Sequence, residues 1–332
     1  MSEQFSIDKL DLAIDAIVVG GEPITLAIDE QSLTELVSLG TDLRGLPRES
    51  FKFKLKEKLI RSATMATTGT EIRESPKYVR AGFNTITPYL TVERAEELVE
   101  FLKQAFGAVE TFRTTGSAGG LHAEVIIGDS RLMVGGGKGI PEFPTSLHLY
   151  VPDTDAVYHQ ALAAGATSLE EPVDQFYGDR EAGVKDPTNN QWWIATHKLG
   201  APGTYTPAGL HAVTPFLHIA GASKFIDFLK EVFDAEETSR DQSPEGMIHH
   251  ATVRIGDSII EMGEAHGEWQ PLPPALYTFV EDVDATYKRA VEAGATSVQA
   301  PANPAYGGRS AWVKDVWGNT WYLASQIAKD EG

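Results

Sequence analysis

The sequence predicts an α+β fold of four tandem βαβββ units, preceded by a helical N-terminal segment. Two observations lead to this prediction: a repeat with a period close to 128 residues, and a βαβββ order of patterns that occurs twice in each copy. The composition agrees, because 42% hydrophobic and 23% charged residues are typical of folded globular proteins. We therefore expect the 332 residues to form two or three domains.

The repeat is visible in short phrases that return in the same order. At offsets of 127 to 129 residues, Thr87–Leu90 returns as Thr214–Leu217, Ile127–Ser130 as Ile255–Ser258, and Gly165–Ser168 as Gly294–Ser297. The two copies span residues 84–198 and 211–326. The segment 199–209 between them is rich in glycine and proline and cannot continue a helix or a central strand, so it is predicted to be an interdomain linker.

Each copy contains two units with the same order of patterns. In the first unit an apolar strand precedes a helix whose apolar residues recur every three or four positions, and Gly107 ends that helix because glycine readily adopts a positive φ. For copy one we predict strand 85–92, helix 95–106 and strands 109–114, 122–127 and 131–134, then strand 147–151, helix 155–164 and strands 167–169, 182–185 and 191–195. Copy two repeats this order, which makes four units.

The charge balance and the lack of cysteine exclude several functional classes. The chain has 28 Lys and Arg against 47 Asp and Glu, a net charge of −19, so a nucleic acid or an anionic membrane would be repelled on average. With no cysteine, disulfides, thiolate zinc sites and cysteine nucleophiles are excluded. The first residues lack the order of a signal peptide, and no window approaches eighteen apolar residues. We therefore expect a cytoplasmic protein with no nucleic-acid partner and no membrane partner.

Residues 1–80 lie outside the repeat and form the predicted helical segment and linker. Three short helices and a Thr- and Ser-rich linker are predicted there, at 7–18, 29–43, 49–62 and 62–76. The third helix is ambiguous, because residues 51–56 alternate with the period of a strand while every fourth residue also forms an apolar helical row. In either form the segment is basic and amphipathic, and we favour docking onto the modules or another protein over a membrane surface.

Several phrases of the repeat together resemble one protein family. Besides the repeated phrases, they are Phe106-Gly107-Ala108, His122-Ala123-Glu124, Gly178-Asp179-Arg180, Asp186-Pro187 with Trp192, and Ala195-Thr196-His197. In this order, over residues 84–326, they resemble the vicinal-oxygen-chelate superfamily of glyoxalases, bleomycin-resistance proteins and dioxygenases, and most closely its PhnB-like branch. The resemblance implies two glyoxalase-like modules, at 84–198 and 211–326, whose units combine into curved cups.

In that superfamily a divalent metal ion usually binds His, Gln or Glu side chains from the first and last strands of the units. Such an ion requires imidazole or carboxylate donors and an open coordination position. Carried over to this sequence, those positions fall on residues that are not metal ligands, namely Thr87, Ser146, Trp193, Thr214, Ala275 and Tyr322. One carboxylate remains, that of Glu261, where copy one has Met133. The sequence therefore predicts no metal ion and no other cofactor.

Two equivalent pairs of polar residues are candidates for ligand binding. His122 and His250 recur on the third strand, where a histidine either contacts a ligand and acts as an acid or base, or is a half-exposed residue bonded to a neighbour. Arg180 and Arg309 each follow a glycine-containing turn that borders the cup in the resembled family. Their guanidinium groups could bind a ligand carboxylate or phosphate, or could brace the loop through Asp179 or backbone carbonyls.

The remaining candidates lie on the last strands of units. Because successive side chains of a strand point to opposite faces of the sheet, we expect Trp193 and Tyr322 on one face and Trp192 and Trp321 on the other. If Trp193 and Tyr322 enter the cups, they offer a stacking surface for a planar ligand or fill the space. Glu261 interrupts an apolar run, which costs free energy unless the carboxylate is paired or solvated, so it is either the best candidate for chemistry or an outward-facing residue.

Two functions of the cups are consistent with these features, and a third hypothesis is a structural or regulatory module that binds a protein partner through the N-terminal helices. The leading hypothesis is a metal-independent protein that sequesters or senses a small, aromatic or cationic molecule in one of its cups. The alternative is a metal-dependent lyase, isomerase or dioxygenase that is active in module 2 only, so the sequence does not decide whether the protein is an enzyme. In both cases we expect a monomer in which the two modules pack as an intrachain pseudo-dimer, because the linker joins them at high effective concentration.

Overall fold

A computed structural model describes residues 78–116, 119–201, 203–267, 269–304 and 307–326. The helices and linker predicted at 7–76 lie outside these residues. Both repeat copies belong to a single compact unit. Within the described ranges, no helix has the length and apolar character needed to cross a membrane.

The described residues contain sixteen strands and four helices in the order βαβββ, repeated four times. Copy one contains β1 (Ile86–Thr91), α1 (Ala95–Phe106), β2 (Val109–Thr115), β3 (Leu121–Ile127), β4 (Ser130–Gly136), β5 (Ser146–Tyr150), α2 (Thr154–Ala163), β6 (Thr167–Asp174), β7 (Asp179–Lys185) and β8 (Gln191–His197). Copy two contains β9 (Val213–Ile219), α3 (Ala222–Phe233), β10 (Glu236–Gln242), β11 (Ile248–Ile255), β12 (Ser258–Glu264), β13 (Ala275–Phe279), α4 (Val283–Glu292), β14 (Thr296–Ala302), β15 (Arg309–Lys314) and β16 (Thr320–Ser325). This confirms the predicted α+β class and its four units.

Strands β6 and β7 differ most from the prediction. β6 continues to Asp174 instead of ending at residue 169, and β7 begins at Asp179 instead of residue 182. β6 is an edge strand whose residues are mostly exposed, and its pairing with β7 has two irregularities. Because neither face of β6 is fully buried, its sequence lacks the apolar alternation by which a strand is recognised.

The strands form two eight-stranded sheets, and each sheet combines one unit from each copy. Sheet I has the order β14-β15-β16-β13-β1-β4-β3-β2, and sheet II has the order β10-β11-β12-β9-β5-β8-β7-β6. The copies meet inside the sheets through short antiparallel pairs, β1 with β13 and β5 with β9. Neither sheet is therefore complete within one copy.

Each copy nevertheless has its own hydrophobic core. The core of copy one joins α1 and α2 to residues of both sheets, such as Leu90 and Leu149, and the core of copy two does the same with α3 and α4. Trp192 and Trp321 are fully buried in these cores, and their indole nitrogens donate hydrogen bonds to the carboxylates of Asp186 and Asp315. The face of each sheet that meets the helices is thus closed, and the opposite face is left for a site.

The repeated Ile-Gly-Asp-Ser phrase holds the two copies together. In copy one, Asp129 and Ser130 accept hydrogen bonds from backbone N–H groups at the start of β9, and Asp257 and Ser258 of copy two do the same at the start of β1. The four N···O distances lie between 2.7 and 2.9 Å. The phrase recurs because each copy uses it to bind the first strand of the other.

Candidate functional site

The face of each sheet that points away from the helices carries the candidate residues. On sheet I we call this face cup 1, and it includes Tyr89, His122, Met133, Tyr277, Trp312 and Tyr322. On sheet II we call it cup 2, and it includes His148, Glu181, Trp193, Phe216, His250 and Glu261. All seven residues predicted to bind a ligand lie on strands of these two sheets, but only five of them face a cup.

Cup 2 contains a hydrogen-bonded network of two histidines and two glutamates. The His148 Nδ1–H donates to Glu261 Oε2 at 2.7 Å, and its Nε2–H donates to Glu181 Oε2 at 3.1 Å. His250 Nε2 lies 3.2 Å from the other oxygen of Glu261. Glu261 is only 3% exposed and His148 9%, so the centre of the network is shielded from water. Because both ring nitrogens of His148 face carboxylates, both carry protons and the ring is an imidazolium.

The pKa shifts in the network follow from this geometry. Burial opposes the charged form of His148, but the charge and hydrogen bonds of Glu261 and Glu181 outweigh it and raise the pKa of the imidazole well above its usual value. Burial alone would also raise the pKa of Glu261, but the charge and hydrogen bond of His148, with a smaller contribution from His250, hold it well below its usual range. The pair therefore stays ionised at neutral pH.

Aromatic side chains surround this network. The ring of His218 stacks on Trp269 with 5.2 Å between centroids, and Trp193 approaches Trp269 at the same distance. Phe216 stacks on His250 at 6.2 Å. Burial, with smaller effects from the charges of His266 and His148, lowers the pKa of His218 to about 4, so this imidazole is neutral at pH 7. Trp269 is 38% exposed and offers ring surface to solvent at the edge of cup 2.

Trp193 lies flat in cup 2 because its neighbour across the strands is a glycine. A Cβ atom on Gly183 would lie 2.7 Å from the indole ring, which is closer than side chains pack. The indole nitrogen donates a hydrogen bond to Ser146 Oγ at 3.1 Å. Trp193 is thus held in one orientation, with its ring packed over Gly183 beside the His148 network.

Tyr150 and Tyr177 lie near several carboxylates of cup 2. Burial and the nearby carboxylates raise the pKa of both, well above the usual value for Tyr150. The charges responsible include those of Glu181 and Asp179 in both cases. Asp179 is bonded to His197 Nδ1 at 2.6 Å, whereas Glu181 and Glu261 share the single imidazolium of His148, so one carboxylate charge of that pair is not balanced by it.

Cup 1 has aromatic residues where cup 2 has charged ones. Met133 occupies the place of Glu261, and Tyr277 that of His148. His122 accepts or donates a hydrogen bond with the Tyr89 hydroxyl at 3.1 Å, and burial lowers the pKa of its ring. Tyr322 stacks on Trp312 with centroids 4.6 Å apart.

One end of cup 1 is covered by the segment 78–83. Val79 and Phe83 are buried against Met133 and neighbouring residues of the cup. The buried carboxylate of Glu124 is bound by Arg80 at 2.7 Å and by Arg131 at 3.0 Å. The negative charge of this carboxylate is therefore neutralised within the protein, unlike the charge in cup 2.

Comparison with known proteins agrees with the fold and with the repeat. The sequence profile of the Glyoxalase/Bleomycin resistance protein/Dioxygenase superfamily matches residues 82–194 and again 214–323. The chain belongs to this superfamily. An uncharacterized protein of Mycobacterium bovis is 36% identical over 130 residues, covering 35% of this chain and 82% of that protein. A second uncharacterized protein, from Mycobacterium tuberculosis, matches at the same identity over 35% of this chain and 74% of its own length.

Among solved structures, glyoxalase I from Zea mays is similar along most of its length. The TM-score is 0.55 at 13% sequence identity, over 72% of this chain and 92% of that chain. A PhnB protein from Bacillus cereus matches 34% of this chain and 98% of its own, at 20% identity and a TM-score of 0.31. At these identities the likeness to glyoxalase I shows the fold alone, and membership of the PhnB-like branch stays a proposal.

The strand pairing shows which residues occupy the positions that bind a metal ion in the superfamily. In cup 2 the last-strand residues are Glu261 and Trp193, and their partners on the adjacent first strands are Phe216 and His148. The positions predicted from the sequence, Ser146 and Thr214, lie two residues too early on β5 and β9, so His148 was missed. Cup 2 thus retains a histidine and a glutamate but has two aromatic residues at the other positions. In the described ranges no group of three or more His, Asp or Glu side chains is arranged to hold a metal ion.

Arg180 and Arg309 lie on the opposite face from the cups. Arg180 alternates with Glu181 on β7, and its guanidinium group binds Asp155 in the first turn of α2. Arg309 binds Asp284 in the first turn of α4 in the same way. Of the two roles considered, the geometry shows a brace, although each arginine binds the preceding helix of its own unit rather than Asp179. The proposed ligand site therefore does not include these arginines.

Proposed function

We propose that cup 2 binds a small molecule and does so without a resident metal ion. The observation that carries the proposal is the position of the His148 ring, whose two nitrogens lie 2.7 and 3.1 Å from the carboxylates of Glu261 and Glu181. A cation between two carboxylates does there what a metal ion would do, because it neutralises part of their charge and satisfies their oxygens. A metal ion that entered would have to displace these protons and would still face Phe216 and Trp193 in place of donors.

The surroundings of the network favour a flat, cationic ligand. With His148 protonated, Glu261 and Glu181 leave a net charge of one negative unit, and Asp179 adds to the potential in this region. A cation is attracted both by that potential and by the faces of aromatic rings. Trp269 and Phe216 provide such faces beside the network. Binding of this kind is suited to sequestering or sensing a molecule, and a cytoplasmic location remains part of the proposal.

Equilibrium dialysis with two flat probes of opposite charge tests the proposal. N-methylquinolinium, a cation, should bind at least about tenfold more tightly than 2-naphthoate, an anion of similar size, which corresponds to about 1.4 kcal/mol. The variant His250→Gln should weaken binding of the cation, whereas His122→Gln, at the equivalent position of cup 1, should not. Equal affinity for cation and anion, or an equal effect of the two variants, would contradict the proposed site.

A metal-dependent enzyme is the second candidate, because His148 and Glu261 remain at two positions that the superfamily uses for ligands. Such an enzyme could not be active in module 2 only, since His148 belongs to copy one and Glu261 to copy two. Incubation with Zn, Ni, Mn or Fe followed by removal of free metal separates the two functions. Stoichiometric metal that is lost in Glu261→Ala, with turnover of a dicarbonyl–thiol adduct or a catechol, would establish the enzyme; protein without bound metal would support the binder.

A further inference from the structure

Cup 1 has a tryptophan at a place where cup 2 has a glycine. Trp312 lies on β15 as the direct partner of Tyr322 on β16. The equivalent pair in cup 2 is Gly183 on β7 and Trp193 on β8. In cup 2 the indole of Trp193 therefore covers Gly183, whereas in cup 1 the rings of Trp312 and Tyr322 pack against each other.

The indole N–H of Trp312 is buried and has no hydrogen-bond partner among the residues that the structure describes. Other indoles of the described residues differ, because Trp192, Trp193, Trp317 and Trp321 each donate a hydrogen bond. Buried donors in folded proteins are nearly always satisfied, since an unmade bond leaves the cost of desolvation without compensation. The unpaired donor of Trp312 therefore points to an acceptor that the described residues do not supply.

The rings around Trp312 restrict the kind of molecule that would supply this acceptor. Tyr322 stacks on Trp312 with 30° between the ring planes, and Tyr277 is nearly parallel to Tyr322, at 17°. Flat rings in such an arrangement favour a planar aromatic guest. The carboxylate of Glu124 in cup 1 does not favour a cationic ligand, because Arg80 and Arg131 already neutralise its charge.

We propose that cup 1 is a second binding site, for a neutral planar aromatic molecule whose carbonyl oxygen accepts a hydrogen bond from Trp312 Nε1–H. This site is independent of the cationic ligand proposed for cup 2. The two cups of one chain would then bind ligands of different chemistry, which is possible because the copies have diverged at the residues that face the cups: Met133 against Glu261, Tyr277 against His148, and Trp312 against Gly183.

Equilibrium dialysis with coumarin and naphthalene tests the second site. The two molecules have similar flat rings, but only coumarin has a carbonyl oxygen. The intact protein should bind coumarin about tenfold more tightly than naphthalene, the size of effect expected for one buried hydrogen bond. Trp312→Phe keeps an aromatic ring and removes the N–H, so it should abolish this preference while naphthalene binding changes less than about twofold. Trp317→Phe, a matched change outside both cups, should leave the preference intact.

The inference would be overturned by equal binding of coumarin and naphthalene by the intact protein, by an undiminished preference in Trp312→Phe, or by a preference that Trp317→Phe also abolishes. Naphthalene binding by Trp312→Phe shows that this variant is folded. N-methylquinolinium should not displace coumarin, and displacement would place coumarin in cup 2 and overturn the second site. Failure of the function proposed for cup 2 would be recognised separately, because that function is tested with N-methylquinolinium and the variant His250→Gln.

Discussion

His148 and Glu261 come from different copies of the repeat, and their side chains meet at 2.7 Å on the same sheet. They are brought together by the antiparallel pairing of β5 with β9, because β12 lies beside β9. The buried network is therefore a property of the two copies together. A single copy would retain one member of the ion pair without its partner.

Glu261→Gln should destabilise the protein strongly. The substitution removes a buried negative charge that His148 and His250 both face, and breaking a buried ion pair costs about 3 kcal/mol or more. Urea unfolding at pH 7 measures the change. As a control, Glu97→Gln removes an exposed carboxylate that binds Arg94, and it should change the free energy of unfolding by less than about 1 kcal/mol. Similar values for the two variants would show that the network contributes little to stability.

The network should also give stability a defined pH dependence. The pKa of Glu261 is lowered from 4.5, so its contribution is present above pH 4.5 and is lost as the pH falls through the lowered value. The pKa of His148 is raised from 6.5, so its contribution is present below pH 6.5 and is lost as the pH rises through the raised value. The difference in unfolding free energy between the wild type and Glu261→Gln should thus be greatest between pH 4.5 and 6.5. A difference that is constant from pH 3 to pH 10 would contradict this assignment.

Gly183→Ala should disturb cup 2 specifically. The added Cβ atom would lie 2.7 Å from the ring of Trp193, so the indole must move, and overpacking of this kind costs about 1–3 kcal/mol. Weaker binding of N-methylquinolinium and a changed near-ultraviolet circular dichroism spectrum are expected. Gly116→Ala is a suitable control, because the nearest atom to its added Cβ is 3.5 Å away. An unchanged spectrum in Gly183→Ala would show that Trp193 is not fixed over this glycine.

The intact chain should be a monomer near its mass of 36.0 kDa. The strand pairs β1–β13 and β5–β9, with the Asp129 and Asp257 contacts, already join the two copies within one chain. Residues 84–198 or 211–326 alone would expose two strand edges and should unfold or self-associate. Light scattering on the chain and on both halves tests this. An obligate dimer of the intact chain, or two stable monomeric halves, would be the opposite result.

The repeat and the helix pattern were sufficient to predict the fold, because offsets near 128 residues and apolar rows are local features of the sequence. Glu261 was found from the same comparison, since Met133 stands at the equivalent position. His148 was missed, because its role depends on which strands pair between copies, and no local period contains that information. The opposite faces of Trp192 and Trp193 followed from strand alternation, whereas the unpaired N–H of Trp312 depends on the atoms around it.

The most direct test of the central claim is the protonation state of His148 in the intact protein. Nitrogen-15 NMR of the imidazole side chains at pH 8, with and without added zinc and with Glu261→Gln to assign the signal, measures it. We predict that both ring nitrogens carry protons and that zinc leaves the signal unchanged, because the carboxylates of Glu261 and Glu181 hold the imidazolium in place. A neutral ring with one bare nitrogen, or a signal that shifts when one equivalent of zinc is added, would contradict a metal-independent site.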